Sequence, residues 1–236
     1  MRIDRLLSEA GFGTRSEVKK AIREGKVTVD SNVCKDPGMK VDPDCVSVCF
    51  EHKRVLKKSF TYIMLHKCKG VVSAVSDRRE KTVVDLVRPF TNADVFPVGR
   101  LDIDTTGLLL LTDDGALAHQ LLSPRKHVDK VYEALIDAPV TKEMIQRFAE
   151  GFSIGDPKDT LPAKLEDLGK EGDGYRVRVT IREGRFHQIK RMFQKQGREV
   201  LALKRLSMGN LWLDKSLAEG ACRFLSREEV DLLKKV

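Results

Sequence analysis

The sequence predicts an α+β protein of two domains: a small N-terminal module of two helices and a short sheet, then a larger domain with a mixed, mostly antiparallel sheet flanked by helices. Three observations predict it. Apolar residues recur at helical spacing twice within the first 22 positions. From Tyr62 onward strand-like and helical runs alternate irregularly, with no repeating βαβ unit. Between these regions residues 51–59 (EHKRVLKKS) are polar, charged and poorly periodic, which predicts a linker and divides the chain into 1–58 and 59–236.

In Ile3, Leu6, Leu7 and Ala10 apolar residues fall at i, i+3, i+4 and i+7, and Gly11 and Gly13 then stop the helix. Thr14 and Glu17 have capping-box spacing at the start of a second helix, whose buried face is Val18, Ala21 and Ile22 and whose end lies near Gly25. On its other side Arg15, Lys19, Arg23 and Lys26 recur at near-helical spacing and predict a cationic ridge. VTVD (27–30) alternates as a strand, and Asp30-Ser31-Asn32 and Asp36-Pro37-Gly38 read as turns. In the larger domain the strand candidates are YIMLH, GLLLLT, VYEALI, YRVRVTI, VLALKRL and NLWL. The helix candidates span 116–122, 142–152, 187–196 and 227–235, the last opened by Ser226 and Glu229 at capping-box spacing.

The 236 residues, 41% of them hydrophobic, suffice for buried cores, so disorder of the whole chain is excluded. A formal charge of +8 favours a polyanionic partner. Residues 1–58 hold 13 Lys or Arg against 9 Asp or Glu, so half of that excess sits in a quarter of the chain. The five cysteines form no CxxC pair, which speaks against a zinc site or a disulfide framework and for reduced thiols. MRIDRLL lacks an apolar signal core and no run approaches the roughly 18 apolar residues of a membrane span, so a cytoplasmic protein without membrane association is expected.

The densest chemical signal is FPVGRLDIDTTGLLLLTDDG (96–115), where a loop carrying Arg100, Asp102 and Asp104 runs into a buried strand. A carboxylate beside a cation in a water-poor pocket can stabilise a developing cation or attack an electrophilic carbon. On spacing alone the favoured reading is that the two aspartates are turn or capping residues and Arg100 a surface partner. Asp102, Asp104, Thr106, Gly107 and Asp113 also occupy positions 1, 3, 5, 6 and 12 of a calcium loop. Leu110 stands where that loop supplies an oxygen, and Pro97 where its incoming helix would run, so no metal is expected.

A second dense region, YRVRVTIREGRFHQIKRMFQKQGR (175–198), combines a strand face of Val177, Val179 and Ile181 with a helix stripe of Ile189, Met192 and Phe193. Arg182, Arg185, Lys190, Arg191, Lys195 and Arg198 surround that corner against the single acid Glu183, which suits phosphate contacts; for Lys195 and Arg198 a solvated surface is the simpler reading. In KVYEALI, Lys130 and Tyr132 share one strand face, and a tyrosine beside a carboxylate can stack on a flat base.

VGRLDIDTTGLLLLT, KVY (130–132) and EGRFHQIKRM (183–192), in that order, resemble the three motifs of the RsuA/RluB/RluE/RluF family of ribosomal RNA pseudouridine synthases, and RIDRLL…TRSEVKKAIREGKVTVD resembles an S4-type RNA-binding domain. The likeness covers nearly the whole chain, and DIDTTG and SPRKH resemble the small-subunit enzymes more than their large-subunit relatives. It implies isomerisation of one uridine in 16S ribosomal RNA, within an assembling small subunit or not, by a monomer without cofactor or metal. Asp102 falls on the catalytic aspartate, Tyr132 on the motif-two tyrosine and Lys190 on the basic residue paired with the acid. Arg100, Arg185, His187, Gln188 and Arg191 would contact substrate or position the aspartate loop, and Arg15, Lys19 and Arg23 would hold RNA. Attack on the base, attack on the sugar and elimination to a glycal all stay open to Asp102. The competing readings are a non-catalytic RNA-binding or assembly factor and a calcium-binding protein.

Overall fold

The computed structural model describes residues 1–43, 45–55 and 60–235. The chain divides into two compact units, Met1–Ser59 and Phe60–Val236, each with its own core.

In the first unit, α1 (Ile3–Glu9) and α2 (Arg15–Arg23) precede the strands β1 (Val27–Val29), β2 (Asn32–Cys34), β3 (Val48–Phe50) and β4 (Lys53–Arg54), which form a sheet in the order β2-β1-β3-β4. Helix α2 starts where Thr14 and Glu17 close a reciprocal capping box, which satisfies two of the otherwise orphan amides of the first turn. Its stripe of Val18, Ala21 and Ile22 is buried with Ile3, Leu6 and Leu7 of α1 and Val27 and Val48 of the sheet. The predicted linker needs correction. Glu51 and His52 make a two-residue turn with positive φ at both positions, Lys53 and Arg54 return as a strand, and Val55 is buried in this core. Glu-His lacks the Asn-Gly signature of such a turn, so the hairpin is hidden in a charged stretch. Residues 56–59 of that stretch lie outside the described residues.

The second unit runs β5 (Tyr62–Lys67), α3 (Val83–Val87), β6 (Phe96–Pro97), β7 (Thr106–Thr112), α4 (Gly115–Leu122), β8 (Lys130–Ile136), α5 (Lys142–Glu150), β9 (Lys164–Glu171), β10 (Gly174–Ile181), α6 (Gln188–Lys195), β11 (Val200–Met208), β12 (Leu211–Trp212), β13 (Cys222–Phe224) and α7 (Arg227–Lys234). Its mixed sheet has the order β13-β5-β7-β11-β8-β10-β9, with β6 and β12 paired to β7 and β11. Among the described strands only β7 and β11 pair in parallel. Strand β7 is buried on both faces: Leu109 and Leu111 join the core under α3, α5 and α6, and Leu108 and Leu110 the core under α4 and α7. Its unbroken leucine run is therefore what its place in the middle of the sheet requires. Strand β8 is covered on one face, and KVYEALI alternates accordingly between buried and half-buried positions.

Gly107 is where β7 meets β11 most closely. Its φ is +105°, and a Cβ there would lie 2.2 Å from the Arg205 carbonyl oxygen, so no larger residue fits this join. The elements that periodicity does not predict, α3, β6, β9 and β13, are short or, in β9, almost wholly polar, and owe their form to pairing with neighbours.

Candidate active site

The loop that joins β6 to β7 carries the acids, and buried polar groups fix it from below. Lys67, at the end of β5 and 0% exposed, donates from Nζ to the carbonyl oxygens of Asp102 (3.0 Å), Thr105 (3.0 Å), Ile103 (3.4 Å) and Cys68 (3.1 Å). One hydroxyl, Ser73 Oγ, donates to the Leu101 carbonyl (2.9 Å) and accepts from the Leu101 amide (3.0 Å). The Gly70 amide donates to Ile103 O, and that of Thr105 to Asp102 O. Burial pushes the Lys67 pKa down, so its ammonium is retained at a desolvation cost that these acceptors offset. The loop backbone is pinned, and the Asp102 side chain is left to point into a pocket at 27% exposure.

That pocket is lined by Leu101, Asp102, Thr105 and Tyr132 together with Arg185, His187 and Gln188 from the β10–α6 corner. Tyr132 is buried on β8, in register with Val179 and Arg205. Two cations face the carboxylate of Asp102: Lys190 Nζ lies 3.5 Å from Oδ2 and His187 Nε2, when protonated a cation, 3.6 Å from Oδ1.

Lys190 is shared. Besides the pairing with Asp102 expected from the sequence, it donates to both oxygens of Asp104, at 2.5 and 2.8 Å, so its shorter contacts are to Asp104. The hydrogen bond from Lys190 holds the Asp104 carboxyl below its ordinary range. Asp104 is 60% exposed, where an ion pair contributes only about 0–1 kcal/mol. Lys190 can thus change partners at little cost, and it remains next to Asp102 in either case.

Three residues expected to contact substrate or position the aspartate loop make hydrogen bonds within the protein, Arg185 and Gln188 while lining the pocket. Arg185 donates to Glu183 and Asp156 and to the carbonyls of Lys158 and Asp159. Arg191 donates to Asp156 and to the carbonyls of Ile154 and Phe186. Gln188, almost fully buried, donates to Glu183 and accepts from the Arg185 amide. Most of their partners come from residues 154–159, distant in sequence, so local spacing could not reveal these bonds. This network holds the corner in shape, and His187 sits on it in the left-handed region at φ +47°. Arg100 is exposed at the start of the aspartate loop.

In the first unit Arg15 and Arg23 are exposed and Lys19 half-buried along α2; Arg15 and Lys19 border a recess with Arg2 and Arg5. Lys26 leaves the ridge, since it lies beyond the helix and pairs with Glu24 and Glu51. Thr106 and Gly107 are strand residues, and Asp113 accepts a hydrogen bond from the Thr61 amide, so the calcium spacing is not realised as a loop.

Two buried cations, Lys67 and Arg205, escape sequence reasoning. Arg205 donates from Nε to Leu108 O at 2.7 Å. Lys130, on the same strand face as Tyr132, is buried too, and burial followed by the charge of Arg205 lowers its pKa to about 8. A basic residue at the end of an apolar strand is the available signal for Lys67; for Arg205 a cation inside VLALKRL is the corresponding one.

Known proteins resemble this chain over nearly its whole length. The family model described as RNA pseudouridylate synthase matches residues 61–195, and the S4 domain model matches residues 1–44. An uncharacterized RNA pseudouridine synthase of Bacillus subtilis, YtzG, is 44% identical over 99% of this chain and 98% of its own length. A ribosomal small subunit pseudouridine synthase A of Pasteurella multocida is 39% identical over the full length of both. A solved structure described as that of a pseudouridylate synthase superposes with a TM-score of 0.68 at 36% identity, covering 99% of each chain.

Proposed function

The chain belongs to the RNA pseudouridylate synthase family and carries an S4 domain, and from that premise we propose that it isomerises one uridine of small-subunit ribosomal RNA, with Asp102 as the catalytic carboxylate acting on an extruded nucleotide. The observation that carries the proposal is the convergence of Asp102, Tyr132 and His187 on one pocket, with Lys190 3.5 Å from the acid.

The reaction breaks the N1–C1′ bond, turns the base and closes a C5–C1′ bond; the proton lost from C5 is matched by one gained at N1, so nothing is oxidised and no group is transferred to water. Such chemistry needs one well-placed carboxylate and a site that keeps the freed base from leaving. Asp102 supplies the first. Tyr132, flat and buried beside it, supplies a surface on which the pyrimidine stacks, which compensates in part for unpairing it from the RNA. Lys190 supplies positive charge, and His187 a ring nitrogen, where negative charge builds up on the base or the acid. Arg100, exposed at the start of the aspartate loop, is the residue we assign to a phosphate contact. The small-subunit assignment rests on the relatives that carry that name and on DIDTTG and SPRKH in the sequence.

A map of pseudouridines in ribosomal RNA, by carbodiimide modification and primer extension, tests this reading. RNA from cells lacking the chain should show one missing site in 16S RNA, restored on re-expression; a complete 16S map in its absence would overturn the assignment. Charge reversal at Arg15, Lys19 and Arg23 tests the RNA-binding unit. For every phosphate that is no longer neutralised, the slope of log affinity against log salt should fall by about 0.7–0.9, and binding should weaken with the catalytic unit still folded. An unchanged slope would assign the ridge to solvent.

A further inference from the structure

Phe186 is the most exposed large hydrophobic side chain among the described residues, at 71%. It stands one residue from the pocket that holds Asp102, yet does not line it. One face of its ring is occupied: the imidazole of His187 stacks on it at 3.8 Å between centroids and 16° between planes. The other face has no ring partner among the described residues.

The ring is presented rigidly. Arg191 holds the Phe186 carbonyl, Arg185 is tied through its guanidinium to residues 156–159, and Gln188 secures the Arg185 amide. An apolar ring in water costs free energy; the held backbone fixes where the ring is rooted, and the His187 stack holds the ring itself upright. A phenyl face has no hydrogen-bonding group, so what it selects is another flat, polarisable surface. Next to a pocket for an extruded uridine, the flat surfaces at hand are the bases that stay in the strand.

We propose that Phe186, backed by His187, stacks on a base flanking the extruded uridine and holds open the gap from which that uridine has left. This rests on the reading of the Asp102 pocket as the uridine site. The target itself occupies the pocket, so the base on Phe186 is a different one, and the platform contributes to binding and registration of the RNA rather than to bond making.

The test uses the full chain, an RNA oligonucleotide spanning the uridine identified by the pseudouridine map, and two versions of it lacking the base 5′ or 3′ to that uridine. On intact RNA, Phe186→Leu and Phe186→Ala should lower kcat/KM about 5- to 150-fold, as loss of one base–aromatic stack does, while Phe186→Tyr and Phe186→Trp stay within about threefold. On one of the two abasic RNAs the native protein should fall to the level of Phe186→Leu, and the substitution should add nothing further. Leucine equal to phenylalanine, or a leucine penalty undiminished on both abasic RNAs, would overturn the proposal. A second measurement needs no turnover. With the single tryptophan removed as Trp212→Phe, the fluorescence of Phe186→Trp should be quenched by the oligonucleotide and less so by the abasic version. Absence of quenching rejects the platform even where pseudouridine forms; quenching without product retains the platform and rejects the reading of the pocket.

Discussion

Asparagine in place of Asp102 is expected to leave the protein folded and bound to RNA while lowering pseudouridine formation by at least about three orders of magnitude, since removing a single catalytic residue from a reacting centre costs about 10⁴- to 10⁶-fold. Asparagine keeps the size and shape of the side chain, and Lys190 and His187 lie at 3.5 and 3.6 Å from a partly exposed carboxylate, so loss of its charge costs little stability. What asparagine lacks is the negative charge and the nucleophilic oxygen. Single-turnover pseudouridine formation, melting temperature and RNA affinity, measured on one preparation, separate these effects. The comparison that gives the experiment its force is Asp104→Asn. Asp104 is only two residues away and holds Lys190 more tightly, yet it is 60% exposed and does not line the pocket. It should retain most activity. If Asp104→Asn were the silent enzyme and Asp102→Asn the active one, the catalytic acid would have been misassigned.

Lys67→Met should destabilise the catalytic unit by about 2–4 kcal/mol, the net of buried acceptors left unsatisfied and the relieved desolvation of the ammonium. Two effects oppose each other here. Losing an ammonium held in a buried place relieves desolvation, as its lowered pKa indicates. Losing its donors leaves the carbonyls of Cys68, Asp102, Ile103 and Thr105 to find other partners, at about 1–3 kcal/mol for each buried acceptor left unsatisfied. Four acceptors outweigh one desolvated cation, so the net effect is loss. For a unit of this size it corresponds to a fall in melting temperature of roughly 10 °C. Activity measured below that transition should also drop, since the Asp102 backbone loses its anchor while the side chain remains. Stability and activity both equal to the native protein's would mean that the aspartate loop is held by Ser73 and Gly70 alone.

The site is legible where its residues are neighbours in sequence. Asp102, Tyr132 and His187 each sit inside a short, dense motif, and those motifs are recognisable because polar residues interrupt strongly periodic apolar runs. The β10–α6 corner shows what spacing leaves out. Glu183 is the one acid visible beside Arg185 and Arg191 in the sequence, yet both bind Asp156 and carbonyls within 154–159, more than 25 positions away, and Arg185 does so while lining the pocket with Gln188. The Glu51-His52 turn is hidden for a different reason: its conformation is imposed by strand pairing on both sides and not by the residues in it.

Local physics, written in order along the chain, was enough to determine two domains, the helix starts at Thr14 and Ser226 and the buried leucine strand, because caps, periodicity and chain direction are properties of adjacent residues, whereas Asp102 stood out only through the family resemblance. Which acid Lys190 serves first, which arginines are taken up inside the protein and what pins the aspartate loop were decided only by the tertiary structure. A charge seeks the nearest opposite charge or carbonyl in space, and nearness in space across a nine-stranded sheet is set by strand order, which spacing along the sequence does not encode.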